Sequence, residues 1–291
     1  MRSPDEEQRG LPGPPGPGPA ASPAPDAWAA PGRPPGWAPL PVGMAAPLPP
    51  GPAAPVRPAR PARPTHRWGL GAYALVEVIF LGSSALIGLL FLADGPTVGG
   101  LALGLAVPTV LAAGTSLLIT YWRGNGPRRD LGLEWSWRDV GLGFAFGFGG
   151  LALTIPASLV YATLVGPDQA TSAVGEVFSG LRTGLPMALL VFAIVVFVAP
   201  LCEEIVYRGL LWGALEKHGA PPWVAFTLTT LLFALAHFEF TRTPLLFIVA
   251  IPIGLARLYT GRLLASVVAH QINNLLPGVV LMLALLGVVQ L

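Results

Sequence analysis

Apolar residues arrive in long, nearly unbroken blocks, not in the period-2 alternation of a half-buried strand or the narrow stripe of a soluble helix. Seven blocks stand out: Trp68–Leu92, Val98–Trp122, Val140–Val165, Pro186–Ala214, Pro222–Phe240, Pro244–Tyr259 and Leu263–Val289. Most are long enough to cross a bilayer as a helix, which takes about 20 apolar residues. The short connections between them hold most of the charge, with Gly and Pro as punctuation. Before the first block, residues 1–66 are dominated by Pro, Gly and Ala. Such a stretch cannot bury a core, so it is expected to be a disordered tail, partly in polyproline II. The pattern predicts an all-α, polytopic transmembrane helical bundle of about seven spans over residues 67–291.

Composition agrees. The chain of 291 residues is 53% hydrophobic and 11% charged, where a soluble domain averages about 25% charged. Mean hydropathy is +0.64. Its single cysteine, Cys202, excludes an intrachain disulfide. Although the pI is near 9.0, the arginines are few and scattered, which excludes a nucleic-acid surface. Nothing in the chain suggests a soluble cofactor.

The arginines read better as topology signals. Arg57, Arg60, Arg63 and Arg67 precede the first block, which favours a cytoplasmic N-terminus. Alternating the spans from there puts Arg123, Arg128, Arg129, Arg138, Lys217 and Arg262 on the same side, with Arg182 and Arg242 opposite. Trp68, Trp122, Trp135, Trp137, Trp212 and Trp223 also fall at that inner edge and are expected to form an interfacial belt. The loop 123–139 is expected to hold a short interfacial helix around Trp135-Ser136-Trp137. Runs such as Gly141–Gly150 predict close helix contacts. No internal repeat of a transporter kind is evident.

Several polar side chains interrupt the apolar blocks. Glu203 and Glu204 follow an almost purely apolar run, Met187–Val198. His237 lies toward the end of the fifth block, and His270 and Asn274 lie in the seventh. An ionisable group at bilayer depth costs on the order of 2.5–3.5 kcal/mol by insertion scales, so it marks a partner or a function. Counting about 1.5 Å per residue places these groups between mid-membrane and its inner half, where three spans could meet around one polar chamber.

Helical spacing assigns relations. Glu204 and Arg208, four apart, share a face and can pair in the favourable order. Glu203 is rotated about 100° away, so it stays free to point into the chamber. His270 and Asn274, also four apart, share a face. A free carboxylate there suits a general base taking a proton from water, with His237 sharing that water. His270 and Asn274 could donate to a developing oxyanion. That set of groups suits peptide hydrolysis without a covalent nucleophile.

The series Glu203-Glu204-x-x-x-Arg208, Phe233-x-x-x-His237 and His270-x-x-x-Asn274 resembles the three ordered motifs of the CPBP family, the CAAX prenyl endopeptidases and Abi bacteriocin-processing and immunity proteins. The resemblance covers about residues 185–276, and Ile253–Arg262 is similar to that family's approach to its last motif. It implies an intramembrane endopeptidase acting on a membrane-associated peptide or protein. Glu203 would then activate water with His237, His270 and Asn274 would hold the oxyanion, and Glu204 and Arg208 would organise the site. The family is described both as metal-dependent and as glutamate-dependent. No obligatory metal is expected here, with zinc on two His and one Glu as the alternative. The composition suggests a bacterial plasma membrane.

Other readings stay open. The chamber could hold a peptide or membrane partner without cutting it, as an immunity or scaffold protein would. A proton-coupled carrier could use the same acids and imidazoles as a relay. Cys202, a thiol in apolar surroundings, is expected to be inert. Ser266 is expected to bond the helix backbone. Glu77, alone in the first span, reads as a packing or near-interface residue, with substrate contact as the alternative. His66 and His218 lie at aqueous edges.

Overall fold

The computed structural model describes residues 65–91, 95–166 and 170–290. Residues 1–64, which make up nearly all of the expected tail, lie outside them. Nine helices account for the described chain: α1 (Leu70–Phe91), α2 (Val98–Arg123), α3 (Pro127–Asp130), α4 (Trp137–Val165), α5 (Ala173–Phe178), α6 (Leu185–Lys217), α7 (Pro222–Leu235), α8 (Thr243–Thr260) and α9 (Leu263–Leu285). Six of them, α1, α2, α4, α6, α8 and α9, are long and apolar enough to cross a membrane. No strand occurs among the described residues.

The fifth expected span differs from the rest. Its helix, α7, has 14 residues, about 21 Å, which is short of the roughly 30 Å hydrocarbon layer. Residues 236–242 beyond it are not helical, so six membrane-length helices stand where about seven spans were expected. Glu239 accepts a hydrogen bond from the Ala173 amide (3.2 Å) and pairs with Arg242. That end of the bundle also holds the Thr183 amide, bonded to the Leu285 carbonyl (2.9 Å). The opposite end gathers the basic residues: the Arg67 amide meets the Arg123 carbonyl (2.7 Å), Lys217 donates to the Trp68 carbonyl (2.8 Å), and Arg262 pairs with Asp139 (3.2 Å). The expected alternation of ends therefore holds. The break at 236–242 includes His237, which packs on Phe233 at the end of α7.

Small residues bring the helices together. On α4, Gly143, Gly147 and Gly150 form one stripe, and a Cβ on any of them would fall within 3 Å of Val268, Ile272 or Pro252. This lets α4 lie directly on α9 and α8.

Helix α6 contains two wide π turns, Ile194–Val198 and Ile205–Leu211, with Ala199–Glu204 between them. Pro200 lacks the N–H that would bond the Val196 carbonyl and crowds that carbonyl, which a wider turn relieves. π turns free carbonyls from the helical ladder, and buried carbonyls need donors. Side chains from neighbouring helices supply them. Asn274 Nδ2 donates to the Val195 carbonyl (3.1 Å), Gln271 Nε2 to the Phe197 carbonyl (3.4 Å), and Arg257 Nε to the Arg208 carbonyl (2.9 Å).

Three expectations at the basic end need correction. Trp122, Trp135, Trp137 and Trp223 are exposed, but Trp68 and Trp212 are core residues, 2% and 3% exposed. Trp68 packs on Gly213, where any side chain would collide with the indole, and Trp212 lies under the Arg257 guanidinium. The loop helix forms at Pro127–Asp130, while Trp137 begins α4, capped by Ser136. Finally, His66, placed in the tail by composition, is buried and stacked on Trp68 at 3.7 Å between ring centres.

Candidate active site

The acids sit on the helical segment between the two π turns of α6. Glu204 and Arg208 are both fully buried and pair through Oε1 and Nη1 at 3.0 Å. The same Oε1 accepts a hydrogen bond from His270 Nδ1 on α9 at 2.9 Å. His270 is 3% exposed. Its other nitrogen, Nε2, faces Glu203 Oε2 at 3.7 Å. One imidazole thus stands between the two adjacent carboxylates. The Glu203 side chain is 24% exposed, whereas its neighbour has no exposure at all. The rotation expected from helix geometry is therefore present, with one acid locked to a cation and the other partly exposed.

Phe233, at the end of α7, holds the cluster together. The Arg208 guanidinium lies 4.5 Å from its ring centre, a cation–π contact. His237, His270 and Tyr207 meet the same ring edge-on at 4.8, 5.5 and 5.5 Å. His237 lies just past the helix end, and its Nδ1 donates to the Phe233 carbonyl at 2.8 Å. Because that partner is a carbonyl, Nδ1 carries a proton, and Nε2 is the nitrogen left free of this bond. Phe238 follows with φ of +56°, a left-handed conformation rare for an aromatic residue. The left-handed turn ends the helical run at the point where the imidazole is presented.

All six candidates, Glu203, Glu204, Arg208, His237, His270 and Asn274, therefore belong to one neighbourhood of α6, α7 and α9. The pairings differ from expectation at two places. His270, expected at the oxyanion, is the residue placed between the acids. Asn274, expected beside it as an oxyanion donor, already gives one amide hydrogen to the Val195 carbonyl. Sequence reasoning quoted Phe233 without giving it a role, and it passed over Arg257, a fully apolar-span arginine whose position alone was a signal. Cys202 is buried against Ala113 and Ile205, and the Ser266 hydroxyl donates to the Leu263 carbonyl (2.9 Å). Among the described residues, no group of three His, Cys, Asp or Glu is arranged to hold a metal ion, the minimum for a zinc site. A cavity of about 470 Å³ lies elsewhere, between the basic ends of α1 and α2, lined by Arg67, Trp122 and Arg123 among others. It touches none of the six residues.

Residues 185–276 match the family described as Rce1-like, type II CAAX prenyl endopeptidase. Helices α6 to α9 carry a CPBP-family domain. The domain is also similar to the membrane-embedded CAAX protease MroQ of Staphylococcus aureus (strain USA300), 32% identical over 82 residues, which is 26% of this chain and 33% of that protein. The chain thus aligns with about a third of the curated relative it matches. No solved structure matches. With its six bilayer-length apolar helices, the chain that carries this CPBP domain is an integral membrane protein. The CPBP domain begins at the start of α6, so α1, α2 and α4 lie outside the matched segment.

Proposed function

We propose that the chain is an intramembrane endopeptidase in which Glu203 activates water to hydrolyse a peptide bond of a membrane-associated substrate. The observation that carries this reading is the asymmetry of the acid pair: Glu204 is consumed by Arg208 and His270, while Glu203 is partly exposed and faces the other side of that ring. A water touching Glu203 would give its proton to the carboxylate as its oxygen attacks the carbonyl carbon. The developing oxyanion needs donors. His270 Nδ1 donates to Glu204, and a proton on Nε2 would donate toward the reacting centre. The second amide hydrogen of Asn274 is a further donor. Collapse of the tetrahedral intermediate breaks the C–N bond, and the proton held by Glu203 passes to the leaving amine. His237, through Nε2, would share the water. In this scheme Glu204 and Arg208 hold His270 in place without touching the substrate. No metal is assigned a step.

The bilayer depth expected for the acids from the sequence and the CPBP domain support one substrate class. It is a peptide or protein delivered by the membrane, with or without a prenyl group. The basic end of the bundle, with Arg67, Arg123, Lys217 and Arg262, supports a cytoplasmic N-terminus in a bacterial plasma membrane.

The test compares membrane peptides from cells carrying the wild-type protein with those carrying Glu203→Gln. The variant is expected to fold and insert but to lose every cleavage product that depends on the wild type. Retention of those products would remove Glu203 as the base. A partner captured uncut by both proteins, with no product in either, would leave a binding protein instead.

A further inference from the structure

The cavity of about 470 Å³ between the basic ends of α1 and α2 falls in the size range of small-molecule sites, about 300–1,000 Å³. Small residues open it. Gly69, Gly71 and Ala72 line it where α1 begins, and a Cβ on Gly71 would meet nothing within 4 Å. Thr115, Leu118 and Ile119 supply the α2 wall, and Leu75 is the α1 lining residue farthest from the basic end. From Arg123 to Thr115 the cleft follows α2 for about 12 Å, at about 1.5 Å per residue. Most of its wall is therefore apolar and runs along the spans.

Its rim has the opposite character. Arg67 and Arg123 line that end, and the Arg67 amide donates to the Arg123 carbonyl (2.7 Å), which sets the two cationic residues side by side. Neither arginine pairs with a carboxylate among the described residues. Asp130, the acid of this corner, accepts instead from the Asn125 backbone and side-chain amides and from the Trp68 indole. Glu216 accepts from the Trp212 indole. Lys217 adds a third positive charge: it donates to the Trp68 carbonyl (2.8 Å) and lies beside Gly69. Trp68, itself part of the lining, is held by the His66 stack and by its fit against Gly213. The rim is thus ordered in advance, which lowers the cost of binding there.

Guanidinium groups at one end and an apolar slot behind them are complementary to an amphiphile with an anionic head. Arginine forks match phosphate oxygens, and basic pockets between membrane spans suit anionic lipid headgroups. A zwitterionic head brings its own ammonium to the same arginines and is disfavoured. We propose that this cleft binds one anionic phospholipid, with its phosphate on Arg67 and Arg123 and an acyl chain along Leu75, Leu118 and Ile119. The lipid holds the start of α1, a helix with Val76 as its one buried residue, against α2. The cleft touches none of the six active-site candidates, so this binding stands or falls apart from cleavage.

The experiment titrates the full chain in dodecyl maltoside with dioleoylphosphatidylglycerol or dioleoylphosphatidylcholine and counts bound lipid by native mass spectrometry. Wild type is expected to retain one phosphatidylglycerol, with a Kd about tenfold or more below that for phosphatidylcholine. Arg67→Gln/Arg123→Gln is expected to erase that preference. Both arginines are exposed, so the Tm of the lipid-free chain should not move. Gly71→Leu, which puts a side chain into the cleft without meeting an atom at its Cβ, is expected to remove tight binding of both lipids, again at unchanged lipid-free Tm. Arg128→Gln/Arg129→Gln, in exposed residues that do not line the cleft, is expected to keep the preference. Equal loss in that variant would point to a general basic field and overturn the site. Inorganic phosphate is expected not to displace the lipid; displacement at the lipid's own concentration would leave an anion site without a place for the chain and overturn the proposal. Equal affinity for the two lipids, untouched by Gly71→Leu, would mean ordinary contact with surrounding lipid and overturn it as well.

Discussion

Two polar regions tie this bundle together, and they obey different energetics. At mid-bundle, Glu204, Arg208 and His270 form a chain of charge-assisted contacts in which no member is more than 4% exposed. At the basic end, Arg262 reaches Asp139 at 3.2 Å and Glu134 at 3.9 Å, with the arginine side chain 43% exposed. The interior Arg208–Glu204 pair lies within α6 and is joined to α9 by His270, whereas the end pair links Arg262, at the start of α9, to Asp139 on α4. In the interior each charge has given up hydration, so the pair stands close to break-even while either half alone is very costly. At the end, water screens the pair and replaces it cheaply when it is lost. An interior pair therefore fixes a shape, whereas an end pair only trims the docking of helix ends.

The largest expected effect breaks the interior pair on one side only. Arg208→Met leaves Glu204 charged and buried and should cost about 3–5 kcal/mol. Thermal unfolding in detergent or nanodiscs would read this as a large fall in Tm, and the peptide products of the wild type would be lost as well. The double variant Glu204→Leu/Arg208→Met removes both charges and should recover most of the stability without the activity. If the double variant were as unstable as the single one, the cost would lie in packing against Phe233 and not in the orphaned charge.

A smaller effect tests whether the freed carbonyls of the π turns matter. Arg257→Met removes the donor to the Arg208 carbonyl and the cation over Trp212. An unsatisfied buried acceptor costs about 1–3 kcal/mol. Asn274→Leu, which deprives the Val195 carbonyl in the same way, should fall in that range too. Hydrogen exchange across Ile194–Leu211 should rise in both variants and stay unchanged in bundle regions that do not touch α6.

Much of this was readable in the chain before its structure. The long apolar blocks gave the helices, and the i, i+4 spacing gave the Glu204–Arg208 pair and the free face of Glu203. Three motifs in order gave the neighbourhood of α6, α7 and α9. What could not be read depends on backbone irregularity. No hydropathy pattern ends α7 at Leu235, since the apolar run continues to Phe240; a left-handed Phe238 and the His237–Phe233 carbonyl contact end it. The π turns of α6 shift register by a fraction of a turn, so Asn274 meets a carbonyl instead of standing free as a donor. Trp68 and Trp212 looked interfacial by position, yet Gly213 opens a slot that draws one of them inward.

At the basic end the effects should be small. Arg262→Gln removes a screened pair and should cost about 0–1 kcal/mol, shrinking further as salt rises. A loss above about 2 kcal/mol, or one insensitive to salt, would make this end resemble the interior and dissolve the contrast.

The least effect expected comes from acid. His66 is buried against Trp68, and burial pushes its imidazole below the ordinary value of 6.5, against a smaller upward pull from its hydrogen bond to the Trp68 carbonyl. The folded chain thus holds the neutral ring, and the unfolded chain takes up a proton first as pH falls. The contribution of this contact is complete above pH 6.5 and declines as pH drops below that value toward the folded-state value. Loss of the stack would free the segment before α1 without disturbing the interior cluster. Trp68 fluorescence followed from pH 8 to 5, roughly the range in which histidine titrates, should show a transition absent from His66→Phe, with the global Tm nearly unchanged. A transition that survives in His66→Phe would assign the acid sensitivity to another group and remove His66 from the set of residues that secure this end.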